Sequence, residues 1–265
     1  MKNFNFFANR VSMPKISAII TCLNVRFRSI KGKSGMIKLL KNLVKACSTA
    51  DAGELEAAGV LADYFKMDGV EVKVDNFEGR RANCNVHVKS GGEKPALWFV
   101  VHIDVVPPGD QKWDFEPFAG IEKDGRVLGR GATDMKGGVA ASAAAISEIL
   151  AEGVELKGDI IFTAAAGEET DSCGLRHFIK NDLASLPPLG GVIIPEPTNF
   201  EIVTAHRGIL WLNVTTKGKT AHGSTPQEGI NAVVHAASLI NALKDFEIDF
   251  PAHPEMGPCT MSINK

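Results

Sequence analysis

Acidic residues and one histidine stand at the ends of three short apolar segments. In chain order they are His102 and Asp104, Glu168 and Glu169, and Glu196. A further acid, Asp134, ends the glycine-containing run Gly129–Asp134, directly before an alanine-rich segment. One imidazole with several carboxylates is a ligand set that suits Zn²⁺, Co²⁺ or Mn²⁺. If the fold brings these residues together, the sequence therefore predicts a metal site.

Taken one at a time, each of these acids has an ordinary structural explanation. An Asp or Glu after a strand commonly caps a helix or lies in a solvated loop. The recurrence at three successive strand ends favours a functional site, because a parallel sheet brings the carboxyl ends of its strands to one edge. Clustered carboxylates repel one another, and burying them without compensation is costly, so such a site requires bound cations.

The hydrophobic pattern predicts an α/β layer that would position these residues. Helical spacing of apolar residues predicts helices over 36–44, 52–67, 135–151 and 175–181. Short apolar or alternating runs predict strands over 70–74, 82–88, 96–106, 159–166 and 191–195. The last three runs are apolar enough to be covered on both faces. The order predicts a largely parallel mixed sheet with helices on both faces.

The sequence divides into three predicted regions. They are a basic, poorly ordered extension over 1–35, a metal-binding catalytic domain over 36–208, and part of a smaller α+β second domain over 209–265. The second domain is predicted from a strand over 209–215, a helix over 229–243 and a strand that begins over 259–263. The extension holds seven basic residues and no acidic one. A translation start placed too far upstream, an unstructured extension and a targeting peptide all remain open explanations.

Composition excludes several classes of protein. Of the 265 residues 45% are hydrophobic and 23% charged, which is typical of a folded chain rather than a disordered one. No apolar stretch approaches the ~20 residues of a membrane span, so no membrane partner is expected. Beyond residue 35 the chain carries 22 basic and 31 acidic residues, a net charge of −9 that argues against nucleic acid. Five scattered cysteines without a CxxC pair predict reduced thiols and a cytoplasmic protein.

Five short motifs in this order resemble those of the M20 metallopeptidase family. They are HIDVVP from His102, GRGATDMKGG from Gly129, GEE from Gly167, EPT from Glu196 and GKTAH from Gly218. The resemblance covers residues 36–265. The family includes acetylornithine deacetylase, succinyl-diaminopimelate desuccinylase, aminoacylase and carboxypeptidase G2. It therefore implies a zinc-peptidase-like fold and a hydrolase of amide bonds in N-acyl amino acids or small peptides.

The resemblance also implies a centre that holds two divalent metal ions. His102 and Glu196 would bind one ion, and Glu169 would bind the other. Asp134 would bridge the two. Zn²⁺ is the expected metal, with Co²⁺ or Mn²⁺ as alternatives. The peptide bond between Asp134 and Met135 would be cis.

Further roles follow from the same resemblance. Asp104 would hold the imidazole of His102 in one tautomer, and Glu168 would act as the general base. His222 resembles a second-domain histidine that stabilises the oxyanion, often across a dimer, so a homodimer through the second domain is expected. An exposed histidine without function is the alternative. Arg207 would pair with a substrate carboxylate, although a surface arginine at the domain boundary explains it equally well.

The end of the sequence departs from the family pattern. Full-length members return from the second domain to complete the sheet and supply a last histidine ligand, whereas this sequence stops at Lys265. We therefore expect either a fragment or a natural truncation, with little or no turnover of its own. The alternative function is a non-catalytic, truncated paralogue that binds metal or pairs with a full-length partner.

Overall fold

The computed structural model describes residues 33–199, 201, 203 and 205–264. The predicted basic extension over 1–35 thus lies almost wholly outside the described residues. The chain divides after Pro197 into two units, which are described separately. None of the helices in the described ranges has the length and apolar character that a membrane crossing requires.

A five-stranded mixed sheet forms the centre of the first unit. The strands of this unit are β1 (Val70–Glu78), β2 (Arg81–Val88), β3 (Lys94–His102), β4 (Ile121–Lys123), β5 (Arg126–Leu128), β6 (Gly158–Ala165) and β7 (Leu189–Ile193). The sheet has the order β1-β2-β6-β3-β7, and β4 and β5 form a separate hairpin. β3 pairs in parallel with β6 and β7, whereas β2 is antiparallel to both of its neighbours. The predicted mixed α/β sheet is confirmed.

Helices cover both faces of this sheet. Along the chain they are α1 (Lys33–Lys45), α2 (Leu55–Tyr64), α3 (Gly138–Ala151) and α4 (Cys173–Asn181). The first three bury their apolar stripes in one large core, where the rings of Phe65 and Phe162 lie 5.3 Å apart. On the opposite face α4 brings Phe178 to 5.5 Å from Trp98 of β3. The central strands are therefore apolar on both faces, as their sequences predict.

The strand β3 is shorter than the predicted 96–106. It ends at His102, after which the Ile103 amide donates to Ala165 O at 3.0 Å and the Val105 amide to Ser48 O at 2.9 Å. The chain thus leaves the sheet while its side chains stay buried, and an apolar pattern alone does not reveal that change.

The strand β7 is not the buried strand that its apolar sequence predicts. It pairs only with β3, and Val192 and Ile193 are exposed. β7 lies at an edge of the sheet, so its outer side has no pairing partner within the described residues. Hydrophobic composition favours burial, but the position of a strand in a sheet decides whether burial is reached.

The second unit contains one of the three predicted elements. Its helix α5 (Ala232–Lys244) begins slightly later than predicted, because the Asn231 side chain accepts hydrogen bonds from the amides of Val233 and Val234 and caps it. The predicted strands over 209–215 and 259–263 are wrong, since neither pairs with another strand in the described part of the unit. Trp211 in the first of them is 68% exposed. Alternating apolar residues make a strand only where a neighbour supplies hydrogen bonds.

The contact between Phe65 and Phe162 allows a test of how much the large core contributes to the free energy of unfolding. Phe65→Ala should lower the free energy of unfolding by about 3–5 kcal/mol, because it leaves a cavity between α2 and the sheet. Val154→Ala, at an exposed apolar site after α3, should change it by no more than about 0.5 kcal/mol. Urea denaturation of the two variants beside the parent chain measures both values, and equal losses would contradict this description of the core.

Candidate metal centre

His102 presents one ring nitrogen to a cluster of acids. Its side chain is 3% exposed, and its amide donates to Met135 Sδ at 3.1 Å. The ring Nδ1 lies 3.1 Å from the backbone oxygen of Asp104 and 3.4 Å from Asp104 Oδ1. Because both neighbours accept hydrogen bonds, Nδ1 carries a proton, and Nε2 is left to face the acids.

Two carboxylates meet this nitrogen. Asp134 Oδ1 lies 3.2 Å and Glu196 Oε1 3.6 Å from His102 Nε2. One ligand atom from each of the three residues falls within 4.8 Å of the others. The histidine is buried, whereas the side chains of Asp134 and Glu196 are 59% and 37% exposed. An imidazole nitrogen and two carboxylates that open towards solvent fit a divalent cation such as Zn²⁺.

An irregular turn before α3 positions Asp134. The turn spans Ala132–Gly137, and Asp134 has extended dihedral angles within it (φ −110°, ψ 105°). The Asp134–Met135 peptide bond is cis, which confirms the expectation from the family resemblance. The fully buried Lys136 donates from Nζ to Leu43 O at 2.7 Å, and burial lowers the pKa of Lys136 to about 8. The turn is therefore tied to the end of α1.

A close contact between α3 and the end of β7 positions Glu196. Gly138 begins α3, and a Cβ atom there would lie 2.2 Å from the carbonyl oxygen of Pro195. Because glycine has no side chain, the segment after β7 can approach the turn that carries Asp134. Asp134 and Glu196, which are 62 positions apart in the sequence, thus become neighbours.

Asp104 holds the loop that follows β6. Its Oδ1 accepts a hydrogen bond from the Glu168 amide, and its Oδ2 accepts one from the Glu169 amide, both at 3.0 Å. Burial would raise the pKa of Asp104, but the positive charge of His102 and these amides hold it below the ordinary value. The sequence predicts only the contact with the imidazole, so this second contact is new.

Glu168 and Glu169 occupy different environments. Glu169 is half-buried and lines a cavity of about 200 Å³ together with Asp134. Burial, followed by the negative charge of Asp134, raises the pKa of Glu169. Glu168 is exposed, and its charge acts on both His102 and Glu196. The loop therefore directs one acid towards Asp134 and leaves the other facing solvent.

The positive charge of the cluster lies on His102. Burial alone would lower its pKa, but the hydrogen bond and charge of Asp104, with the charges of Glu196 and Glu168, raise the pKa of His102 to about 9. Burial, with the charge of Asp134, raises the pKa of Glu196. In the metal-free protein a proton on His102 therefore offsets part of the negative charge, and a cation would take over that role.

A buried ion pair, to which no sequence motif points, lies behind the same loop. Arg81 Nε donates to Glu54 Oε2 at 2.9 Å, and the Glu54 side chain is fully buried. Gly167, with φ +73°, faces this arginine, since a Cβ atom there would lie 2.3 Å from Arg81 Nη2. The two charged residues are 27 positions apart and belong to no motif, so the sequence carried no signal for the pair.

Two predicted site residues lie in the second unit. His222 is exposed, and its Nδ1 lies 2.8 Å from Ser224 Oγ. Arg207 is also exposed, and its Nη2 donates a hydrogen bond to the backbone oxygen of Met256. The roles of His222 in oxyanion binding and of Arg207 in carboxylate binding stay predictions.

The fold and the cluster together define an α/β protein with a candidate metal centre at the carboxyl edge of its parallel strands. Residues 98–262 match the sequence profile of "Peptidase family M20/M25/M40". The chain belongs to this family.

Two curated relatives of this chain carry the same name. A probable succinyl-diaminopimelate desuccinylase of Staphylococcus epidermidis is 36% identical over 217 residues, which cover 82% of this chain and 52% of the relative. A protein of the same name from Staphylococcus aureus is 34% identical over 210 residues, which cover 79% of this chain and 50% of the relative. The chain spans about half the length of the curated relatives it matches.

Solved structures show the same architecture. Human carnosine dipeptidase 1 superimposes with a TM-score of 0.53 at 25% identity, covering 62% of this chain and 38% of that one. An M20 family metallo-carboxypeptidase from Sulfolobus solfataricus also gives a TM-score of 0.53 at 25% identity, covering 62% of this chain and 37% of that one.

The pair of His102 and Asp104 predicts a pH dependence of stability in the metal-free protein. Because folding raises the pKa of His102 from its ordinary ~6.5 to about 9, the stabilisation is complete below pH ~6.5 and is lost as the pH rises through about 9. Asp104→Asn should lower the pKa of His102 and reduce the stability most at pH 6. Imidazole titration by NMR and urea denaturation at pH 6 and pH 9 measure both effects.

Comparison with the parent chain cancels the contribution of other titrating groups, such as Lys136. Asp114→Asn is the matched control, because Asp114 is exposed and forms no hydrogen bond or ion pair in the described chain. An Asp104→Asn variant with an unchanged His102 titration would contradict the assignment.

Proposed function

We propose that the protein supplies the two-metal centre of a hydrolase that cleaves amide bonds in N-acyl amino acids or small peptides. The observation that carries this proposal is the convergence of His102 Nε2, Asp134 and Glu196 within 4.8 Å. Membership of the M20 peptidase family supports the same reaction class. The desuccinylase name of the curated relatives makes N-succinyl-diaminopimelate the first substrate to assay.

The surroundings of the proposed ligands assign them to two metal ions. His102, Asp134 and Glu196 would hold one ion. Asp134 and Glu169 line the same cavity, which supports their sharing of a second ion. Zn²⁺ is the proposed metal, and the same nitrogen and oxygen donors would accept Co²⁺ or Mn²⁺. Asp104 would keep Nε2 of His102 free for the metal by binding Nδ1.

Glu168 is the proposed general base. Two bound divalent ions would polarise the substrate carbonyl and lower the pKa of the attacking water. Glu168 would take the proton from that water and return it to the amine that leaves. The carboxylate of Glu168 is exposed to solvent, whereas Glu169 is half-buried beside Asp134. The two hydrogen bonds to Asp104 would keep both acids in these positions.

Residues of the second unit complete the proposal. His222 would stabilise the oxyanion, and Arg207 would pair with a carboxylate of the substrate. Pairing of two copies through the second unit also belongs to this proposal. Carnosine dipeptidase 1 and the metallo-carboxypeptidase, by their names, act on peptides, so dipeptides are the second substrate class to assay.

The division of labour between the adjacent glutamates can be tested directly. Glu169→Gln should weaken the binding of Zn²⁺ or Co²⁺, because a neutral amide is a poorer ligand than a carboxylate. Glu168→Gln should leave metal binding nearly unchanged. In the chain joined to the carboxyl-terminal part of a full-length relative, it should reduce amide hydrolysis by roughly 10²–10⁴-fold. Titration calorimetry with each ion, the visible spectrum of the Co²⁺ form and initial rates measure the contrast. Equal loss of metal in both variants would contradict it.

The alternative is a non-catalytic protein that binds metal or pairs with a longer homologue. Hydrolysis of N-succinyl-diaminopimelate, N-acetylornithine or a dipeptide by the metal-loaded chain, abolished by Glu168→Gln, would establish the hydrolase. Metal binding that requires His102, Asp134 and Glu196, without turnover of any of these substrates even after the chain is joined to the carboxyl-terminal part of a full-length relative, would favour the alternative.

A further inference from the structure

An arginine lines the cavity beside the candidate metal centre. This cavity of about 200 Å³ is lined by two acids, Asp134 and Glu169, and by two apolar residues, Val105 and Val106. Arg130 also lines it, four residues before Asp134. This arginine lies within the GRGATDMKGG motif, but its sequence position alone indicates no role for it.

The backbone and the ring of Trp113 hold Arg130 in place. Its amide donates to Pro117 O at 2.8 Å, and its guanidinium carbon lies 5.2 Å from the centre of the Trp113 ring. Trp113 is fixed in turn, because its Nε1 donates to Pro108 O at 3.1 Å. After Arg130 the chain packs closely on the segment that follows β3, since a Cβ atom at Gly131 would lie 2.3 Å from Val105 Cγ1. The guanidinium is therefore pre-organised.

This guanidinium has no acidic partner. Arg130 forms no ion pair among the described residues, and its buried Nε makes no hydrogen bond. A buried donor of a charged group is costly to leave unpaired. Asp134 and Glu169 share the cavity, but neither forms an ion pair with Arg130, and both are proposed metal ligands. The N–H donors of Arg130 are therefore not taken up by an acid in the described part of the chain.

We propose that Arg130 binds a carboxylate group of the substrate beside the metal centre. The planar guanidinium offers paired N–H donors that match a carboxylate, while Trp113 covers one of its faces. A cavity of about 200 Å³ has room for a carboxylate with a short hydrocarbon spacer, for which Val105 and Val106 form the apolar wall. The inference rests on the proposed function, because it names the chemistry of the ligand that this site selects.

The proposal assigns Arg130 to ligand selection rather than to bond cleavage. Substrates with a carboxylate near the scissile amide would be preferred over neutral analogues of the same size. Loss of Arg130 would then raise KM for the carboxylate-bearing substrate and leave kcat less affected, because the contact exists before the reaction begins. Arg207 in the second unit would serve a different carboxylate of the substrate.

Binding of a small probe tests this without turnover. Succinate and succinamate have similar size, but succinamate replaces one carboxylate by an amide. Calorimetry or NMR with the Zn²⁺-loaded chain should show tighter binding of succinate, and Arg130→Met should reduce that preference by about tenfold to a hundredfold. Arg126→Met is the matched control, since Arg126 is an exposed arginine of β5, and it should keep the preference.

A second variant covers the case in which Arg130→Met does not fold. Arg130→Lys keeps the charge but loses the paired donors, and it should retain Zn²⁺ binding with a smaller succinate preference. An unchanged preference in a folded Arg130 variant, or no preference in the parent chain, overturns the proposal.

The outcome also separates this inference from the proposed function. Failure of Zn²⁺ binding in the parent chain would contradict the metal centre, and succinate would then be titrated into the metal-free chain, where the same Arg130 dependence is expected. Normal Zn²⁺ binding and hydrolysis with an Arg130-independent succinate affinity would contradict the inference alone.

Discussion

Mutual repulsion of carboxylates is the constraint on which the site depends. Five acids surround a single imidazole at one end of the sheet, and several of them are partly or wholly removed from water. Carboxylates in that environment require positive charge or hydrogen-bond donors. The fold supplies a protonated His102, two backbone amides for Asp104 and an open cluster of ligand atoms that suits a cation.

Asp104 connects these compensating groups. It is nearly fully buried, and its carboxylate contacts both the imidazole of His102 and the loop that carries the two glutamates. One side chain thus couples the orientation of a proposed metal ligand to the placement of the proposed base. The pair of Glu54 and Arg81 supports the same loop from behind, where Gly167 leaves space for the guanidinium. Removal of either partner would leave an uncompensated charge behind the loop.

Much of the fold follows from local patterns. Periodicity located α1 to α5 and the strands of the central sheet, because burial of one face imposes a period of 3.6 residues on helices and of 2 on strands. It did not specify the order of the strands, in which β6 separates β2 from β3. It also predicted strands over 209–215 and 259–263 that have no partner in the described unit. Strand pairing is a contact between distant segments, and a local pattern carries no information about whether it forms.

The sequence by itself determined that His102 and Glu196 follow apolar segments and that Asp134 ends a glycine-containing run, and hence that all three were candidates for one site. Their types and these positions are local properties that can be read along the chain. Only the tertiary structure decided that Asp104 binds the amides of Glu168 and Glu169, and that Arg130 lies over Trp113 without an acidic partner. Those outcomes depend on packing between segments that are far apart in the chain or connected by irregular loops, where no periodic pattern constrains the distance between side chains.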